Sequence, residues 1–509
     1  MLNQDTNLDI ISTATKLSRD VEWTVREAIA SRLGHYVDND EKNVESAVNL
    51  LTQLARDVKP EVRMSASHSL ARIPHKNRLT TWISLCRDKD PKVRSTGAEC
   101  LGQITTCENN IGTLVKDQLK GVVIPELLAL ARDDECFKVR KTACNSLALI
   151  CKGAAKSNED KDKVIRIAAA SCMVYLSNDG AWPVRRAVAN SLPSVCMNDK
   201  KYDHPLAAAL LSLCEDNTDW VRQSARRALG EFLALSRFDS LEALTCFASL
   251  SQAQDEDSRY ACAYYLPGVL QASSTPETLW TQTLKNVHSF LAGDASSRIR
   301  RTLSYSLHHV GKLLGAQIAT NDLLFTFSSF LQDMDDEEEI RLGAIKGSSS
   351  FVSVLLPSSR LEAFQYIETS LNDIASPPLS SLAVSRDARL SLAEQLPSFA
   401  KISPPIPGLG KFFLKLARDE SHHIREKALD SFGEIAPGLD SLEEIIQVLI
   451  ELSNSSHFWD RWTFARAASS ISRNERSKKI CGSKLLEKLH TLKEDPVLTV
   501  RNEVIKALT

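Results

Sequence analysis

The chain has 509 residues, and its 62 Lys and Arg nearly balance its 64 Asp and Glu, for a formal net charge of −2. That length is more than one globular core fills; the balance gives no global field toward DNA, RNA or an acidic membrane, and aromatics are sparse at 6%, so no direct nucleic-acid partner is expected. There is no apolar run of the roughly 18 residues that a membrane-crossing helix needs, so no membrane insertion is expected, and Met1 to Ile11, with Asp5 and Asp9, lacks the basic start of a secretory signal.

Taken in order, the segments read as helices joined by short polar turns. Residues 1–35 hold a first pair, its first helix short (about Leu8 to Leu17) and without an obvious polar cap. Residues 36–105 hold two compact pairs. Extra length falls near Thr105 to Lys120, and polar Lys152 to Lys163 reads as a loop between pairs. Leu206 to Cys214 is an apolar helix, Asp216 to Asp219 supply capping groups, and Val221, Ala225 and Leu229 recur on one stripe of the next helix. The turn before Arg341 is acidic: Asp333, Asp335, Asp336, Glu337, Glu338 and Glu339 read either as a solvated loop or as a docking loop for a basic partner. Asn372 to Ser385, with Pro377-Pro378, marks a local irregularity or hinge. The expected organisation is therefore one solenoid over 1–509, with more regular repeats over 1–370 and further repeats over 371–509. Trp459 and Trp462 are either packing between repeats or an interface anchor. The chain stops at Thr509, one residue past a repeated Leu; the expectation is an uncapped end that meets a partner or itself, or a shortened form of a longer protein.

One frame recurs through all of this. Arg26, Arg63, Arg94, Arg140, Arg185, Arg222, Arg259, Arg300, Arg341, Arg389, Arg425, Arg461 and Arg501 follow one another at a mean spacing of about 40 residues, the length of a two-helix HEAT-type repeat. Six residues before the Arg stands an Asp in ten of the thirteen: Asp20, Asp57, Asp88, Asp134, Asp179, Asp216, Asp294, Asp335, Asp419 and Asp495. Leu recurs nine residues before and seven residues after, the facing apolar positions of the two helices. The fold expected is all-α, a HEAT-repeat right-handed α-solenoid of about 13 helix-pair repeats. A cation in the first turn of a helix is disfavoured by the helix dipole, so an Asp of the same turn or of the next repeat must offset each Arg. The residues of this structural ladder are Asp57, Arg63, Asp88, Arg94, Asp179, Arg185, Asp216, Arg222, Asp294, Arg300, Asp419, Arg425, Asp495 and Arg501. Pro60, Pro91 and Pro183 fall where the second helices begin.

No catalytic constellation stands out. There is no glycine-rich phosphate loop, no GxSxG elbow and no His-Glu dipeptide of the kind that holds a di-iron centre on HEAT-type helices. His308-His309 and His422-His423 are read as surface or turn histidines, without acidic partners at metal spacing. The twelve Cys are scattered without CxxC pairs and read as buried free thiols in a reducing compartment. The expectation is a non-enzyme with no cofactor and no metal.

Trp182-Pro183-Val184-Arg185-Arg186-Ala187, Leu213-Cys214-Glu215-Asp216 with Trp220-Val221-Arg222, Leu229-Gly230-Glu231-Phe232 and Asp495-Pro496-Val497-Leu498-Thr499-Val500-Arg501 together resemble the HEAT scaffold subunit of protein phosphatase 2A and the related regulatory subunit 1 of protein phosphatase 4. The resemblance implies a non-catalytic scaffold that holds a Ser/Thr phosphatase catalytic subunit and a regulatory subunit or substrate along its turns, in the cytoplasm and also the nucleus. By position, Trp182, Pro183, Arg186, Asp219 and Trp220 would face a regulatory subunit or substrate. His422, His423, Phe458, Trp459, Asp460, Val497 and Leu498 would lie nearest a catalytic subunit. The alternatives are a karyopherin-type transport receptor or another HEAT adaptor.

Overall fold

Each segment carries one apolar stripe, and a lone helix pair has no way to hide two such stripes. In the computed structural model the pairs bury them by stacking. Residues 3–36, 41–75, 77–105, 118–154, 160–236, 240–333, 338–374 and 382–508 are described, and every regular element among them is helical. The chain forms two compact units, Met1–Leu250 and Ser251–Thr509.

In the first unit the second helices of successive pairs, Trp23–Arg32, Pro60–Arg72, Pro91–Gly102, Phe137–Ala154, Trp182–Ser191 and Asp219–Leu235, pack each on the next. The first helices Asn3–Leu17, Glu41–Leu54, Arg78–Cys86, Ile124–Asp133, Asp160–Leu176, Lys200–Cys214 and Leu241–Ser249 form the other row. The second unit repeats the plan, with Glu256–Ala272, Ser297–Ile318, Glu339–Lys346, Leu382–Ala400, His422–Ile435, Phe458–Ser472 and Leu498–Leu508 as its stacked second helices.

The Leu columns are the core. Leu33, Leu54, Leu70, Leu85, Leu101, Leu147, Leu176, Leu192, Leu213 and Leu229 are buried in the first unit, and Leu266, Leu291, Leu307, Leu396, Leu416, Leu452 and Leu492 in the second. Leu17 and Leu508, in the first and last described helices, are only half-buried. Each buried Leu stabilises by about 1.5–3 kcal/mol, gained at the contact between neighbouring pairs. Local chemistry sets the helix starts. Pro60 and Pro91 open their helices and Pro183 takes the second position, where a missing N–H costs little. Asp90, Ser240 and Asp255 accept backbone N–H groups of the turns they precede.

Three expectations need correction or placing. The first helix spans Asn3–Leu17, longer than the apolar stretch alone indicated. His308 and His309 are not turn residues but lie mid-helix in Ser297–Ile318, and His308 Nδ1 is buried without a hydrogen bond among the described residues. The loop positions 106–117 and 155–159, Asp335, Asp336, Glu337 and Pro377-Pro378 lie outside the described residues.

Two second helices are interrupted: Ser297–Ile318 kinks at Gly315, whose φ is 76°, and the next one breaks and is bridged from outside. Glu339–Lys346 stops at Gly347 and resumes as Ser348–Val354. Gln395, from the next second helix, bridges the break: its Nε2 donates to the Ile345 carbonyl at 2.7 Å, and its Oε1 accepts from the Ser349 N–H at 2.9 Å and the Ser348 hydroxyl at 3.2 Å. Gly347 packs so closely on His308 that a Cβ there would sit 2.4 Å from Nδ1.

Candidate partner-binding surface

The site is built on the joint between repeats. Twelve Arg of the column sit in the first turn of a second helix, where unpaired N–H groups disfavour a cation, whereas Arg389 lies further in, as the eighth residue of Leu382–Ala400. Arg185 shows how this is offset. Its Nη1 donates to the Asp179 and Gly180 carbonyls of its own turn at 2.8 and 3.4 Å, while Nε and Nη2 meet the two carboxylate oxygens of Asp216, one repeat later, at 2.6 and 2.9 Å. Asp216 Oδ1 accepts in addition from the Thr218 N–H at 2.8 Å, which shapes its own turn. One carboxylate thus ties its turn together and receives the fork of the preceding repeat.

The same fork joins Arg26 to Asp57, Arg94 to Asp134 and Arg140 to Asp179 in the first unit. It joins Arg259 to Asp294, Arg300 to Asp333, Arg389 to Asp419 and Arg461 to Asp495 in the second. Arg63 reaches Asp88 through Nη2 at 2.8 Å. The bond from Arg185 holds the Asp216 carboxyl below its ordinary range. At Asp57, Asp179, Asp294 and Asp495 burial pushes the carboxyl up, but the guanidinium and the turn N–H outweigh it and the net direction is down.

The exceptions follow the sequence. Arg300 pairs with Asp333, which stands eight residues before Arg341, while the expected Asp335 lies outside the described residues. Asp333 follows the buried Phe330 as Asp294 follows Leu291, and its N–H bonds to Phe330 as that of Asp294 does to Leu291. Two further residues then separate it from Arg341, whose Nη2 still reaches the Asp333 carbonyl at 3.1 Å. Six residues before Arg259 stands Ala253, and Arg222 pairs with Asp219 of its own turn. Six residues before Arg461 stands Ser455, and there the Arg425 guanidinium lies 4.9 Å from the ring centre of Trp459. An aromatic face takes the place of the carboxylate. Arg425 keeps its bonds to the Asp419 and Glu420 carbonyls at 2.7 and 2.9 Å, and Arg501 keeps its bond to the Asp495 carbonyl.

The remaining candidates lie on the same turns. In the first unit Trp182 and Trp220 are 42% and 58% exposed, and the Arg186 guanidinium stands 5.6 Å from the Trp220 ring while its Nε donates to Ser224 Oγ at 3.1 Å. Pro183 is half-buried and Asp219 exposed. In the second unit His422, Phe458, Trp459 and Trp462 form one cluster, with Trp459 4.4 Å from Phe458 and 6.1 Å from His422 between ring centres. Trp462 is buried and Trp459 is 48% exposed, so the pair divides between packing and surface. Asp460 accepts from Ser455 Oγ at 2.7 Å, His423 is exposed, Val497 is half-buried and Leu498 is 60% exposed. His422 does have an acidic neighbour, Glu426 at 3.6 Å, but among the described residues no three His, Cys, Asp or Glu converge as a metal site. The described cysteines are free, nine of them buried, and burial pushes the Cys144 and Cys151 thiols up to about 12.

Sequence reasoning passed over one surface, a groove on the second unit beside the helix Ser297–Ile318. The available signal was charge: that helix carries Arg298, Arg300, Arg301 and Lys312 and no acidic residue.

Stacked helix pairs with an Arg–Asp joint make the chain a HEAT-repeat α-solenoid protein, and residues 49–120 and 124–230 match the model of HEAT repeats. Residues 262–370 match the middle domain of protein phosphatase 4 regulatory subunit 1. The human serine/threonine-protein phosphatase 4 regulatory subunit 1 is 35% identical over 123 residues, 24% of this chain and 12% of the human protein, and the mouse protein gives the same values. The matched stretch therefore spans a small part of those relatives. Among solved structures, yeast importin-β (Kap95p) superposes with a TM-score of 0.59 at 12% identity, over 98% of this chain and 72% of its own. A Kap95–Nup1 complex gives 0.64 at 14%, over 99% and 66%. At such identities the likeness is one of fold alone.

Proposed function

We propose that this chain is a non-catalytic scaffold or regulatory subunit of a PP2A-like Ser/Thr protein phosphatase, acting in the cytoplasm and nucleus. The observation that carries the reading is the match of residues 262–370 to the middle domain of a phosphatase 4 regulatory subunit. In this reading the turns with Trp182, Pro183, Arg186, Asp219 and Trp220 meet a regulatory subunit or substrate. Those with His422, His423, Phe458, Trp459, Asp460, Val497 and Leu498 meet the catalytic subunit. Both partners on one frame raise the effective concentration of substrate at the active site. The likeness to karyopherins supports the helix-pair architecture and no transport role.

The test is affinity capture of the tagged chain from native extract, read by mass spectrometry beside a phosphatase assay. A stoichiometric Ser/Thr phosphatase catalytic subunit is expected; capture without phosphatase activity sinks the proposal. Trp459→Ala should weaken that capture while shifting the thermal melt little, because half of the ring is in solvent. Equal loss of both would make Trp459 a packing residue only.

A further inference from the structure

The groove on the second unit, about 500 Å³ in volume, has walls from two neighbouring second helices, Glu256–Ala272 and Ser297–Ile318. Arg298, Arg301, Thr302, Tyr305, Ser306 and His309 follow at three- and four-residue spacing along one face of the second of these. Tyr260 and Tyr264 come from the first, and Tyr264 is largely exposed.

Cations outnumber carboxylates here by three to two. Arg300 is engaged with Asp333, which leaves Arg298 and Arg301 to the groove. The Arg298 guanidinium lies 3.8 Å from the ring centre of Tyr260, and Tyr305 has Arg301 at 5.9 Å and Lys346 at 5.5 Å. Two carboxylates face these three cations: Asp257 at 3.2 Å from Arg298, and Glu339 at 3.3 Å from Arg301 and 3.0 Å from the Tyr305 hydroxyl. Both arginines are about half exposed, and ion pairs in that setting hold weakly. An incoming carboxylate can therefore displace them.

The hydroxyls point to a peptide. Thr302 Oγ1 donates to the Arg298 carbonyl at 2.9 Å and Ser306 Oγ to the Leu303 carbonyl at 3.2 Å. With their hydrogens spent on their own helix, both oxygens present acceptors, which suit backbone N–H groups. Arg298 to His309 spans about 16 Å of helix, the reach of about five residues of extended chain.

We propose that this groove binds an acidic linear peptide segment of a partner protein, laid extended along Ser297–Ile318, with two of its carboxylates on Arg298 and Arg301. The assignment goes beyond the phosphatase reading and does not depend on it.

The test is selection of a random twelve-residue phage-displayed library on the full-length chain, followed by fluorescence anisotropy with a labelled peptide of the enriched sequence. Enrichment of Asp or Glu at two positions is expected. Binding should weaken about tenfold or more with Arg298→Glu/Arg301→Glu, with Gln in place of the peptide's acids, and with added salt. Both side chains are half in solvent, so the variant should keep the wild-type melt; if charge reversal disturbs it, Arg298→Gln/Arg301→Gln serves instead. Selection of non-acidic peptides, undiminished binding to the double variant, or displacement of the peptide by poly(U) RNA would overturn the proposal. Phosphatase capture, measured separately on the same variants, is expected to be unchanged.

Discussion

Arg185 stands where a helix start disfavours a cation, and it is held there by two carbonyls of its own turn and a carboxylate 31 residues away. Arg185→Ala leaves a mostly buried Asp216 carboxylate with only the N–H and hydroxyl of Thr218 as partners, and should cost about 2 kcal/mol in denaturant unfolding. Arg185→Lys should recover only part of that, because an ammonium cannot form the fork. Acid should act in two stages. Burial holds His288 and His308 near pH 4, below their ordinary 6.5, so the unfolded chain takes up their protons first and stability falls as pH drops from about 6.5 to about 4. The ladder carboxyls, lowered from 3.8, stabilise above that value, and their contribution is lost as pH falls below it. Thermal melts against pH should show both stages, with His288→Leu reducing only the first. The Arg and Asp columns were legible in the sequence as residue types at fixed spacing. That Asp offsets Arg was legible too, but not which Asp, because that depends on turn length: Asp333 stands eight residues before Arg341 instead of six.

At the scale of the element, the helix pairs and their buried Leu positions were readable because a 3.6-residue period and a short polar turn are local properties. The break at Gly347 was not, because the side chain that bridges it comes from residue 395. Ala is the better helix former by about 1 kcal/mol, so Gly347→Ala would strengthen an isolated helix. Here its Cβ would collide with His308, and the variant should lose about 1–3 kcal/mol of stability in a thermal melt. Trp459 illustrates a related limit. Sequence left it between packing and interface, and the structure sets the ring against Arg425 while about half of it stays in solvent.

Over the whole molecule, stability is the sum of many contacts between adjacent pairs rather than the property of one core. Unfolding in urea should therefore begin locally, with a dependence on denaturant shallower than a single cooperative transition of 509 residues would give. Probes placed in Met1–Leu250 and Ser251–Thr509 should report different midpoints; coincident, steep transitions would contradict this. The repeat architecture could be read from spacing alone. The groove beside Arg298 could not, since Tyr260 and Tyr264 reach it from a neighbouring helix. The joint between repeats has one more consequence, for inheritance. Most turns offer a fork to the turn that follows and a carboxylate to the one before. Along the runs where the fork is complete, a segment of about 40 residues, copied or lost whole, leaves the remaining forks opposite carboxylates, whereas a cut within a pair strands one of them. Chains with this connector can therefore lengthen or shorten by recombination in whole steps, so that the number of repeats becomes a trait selection can vary without redesigning any seam.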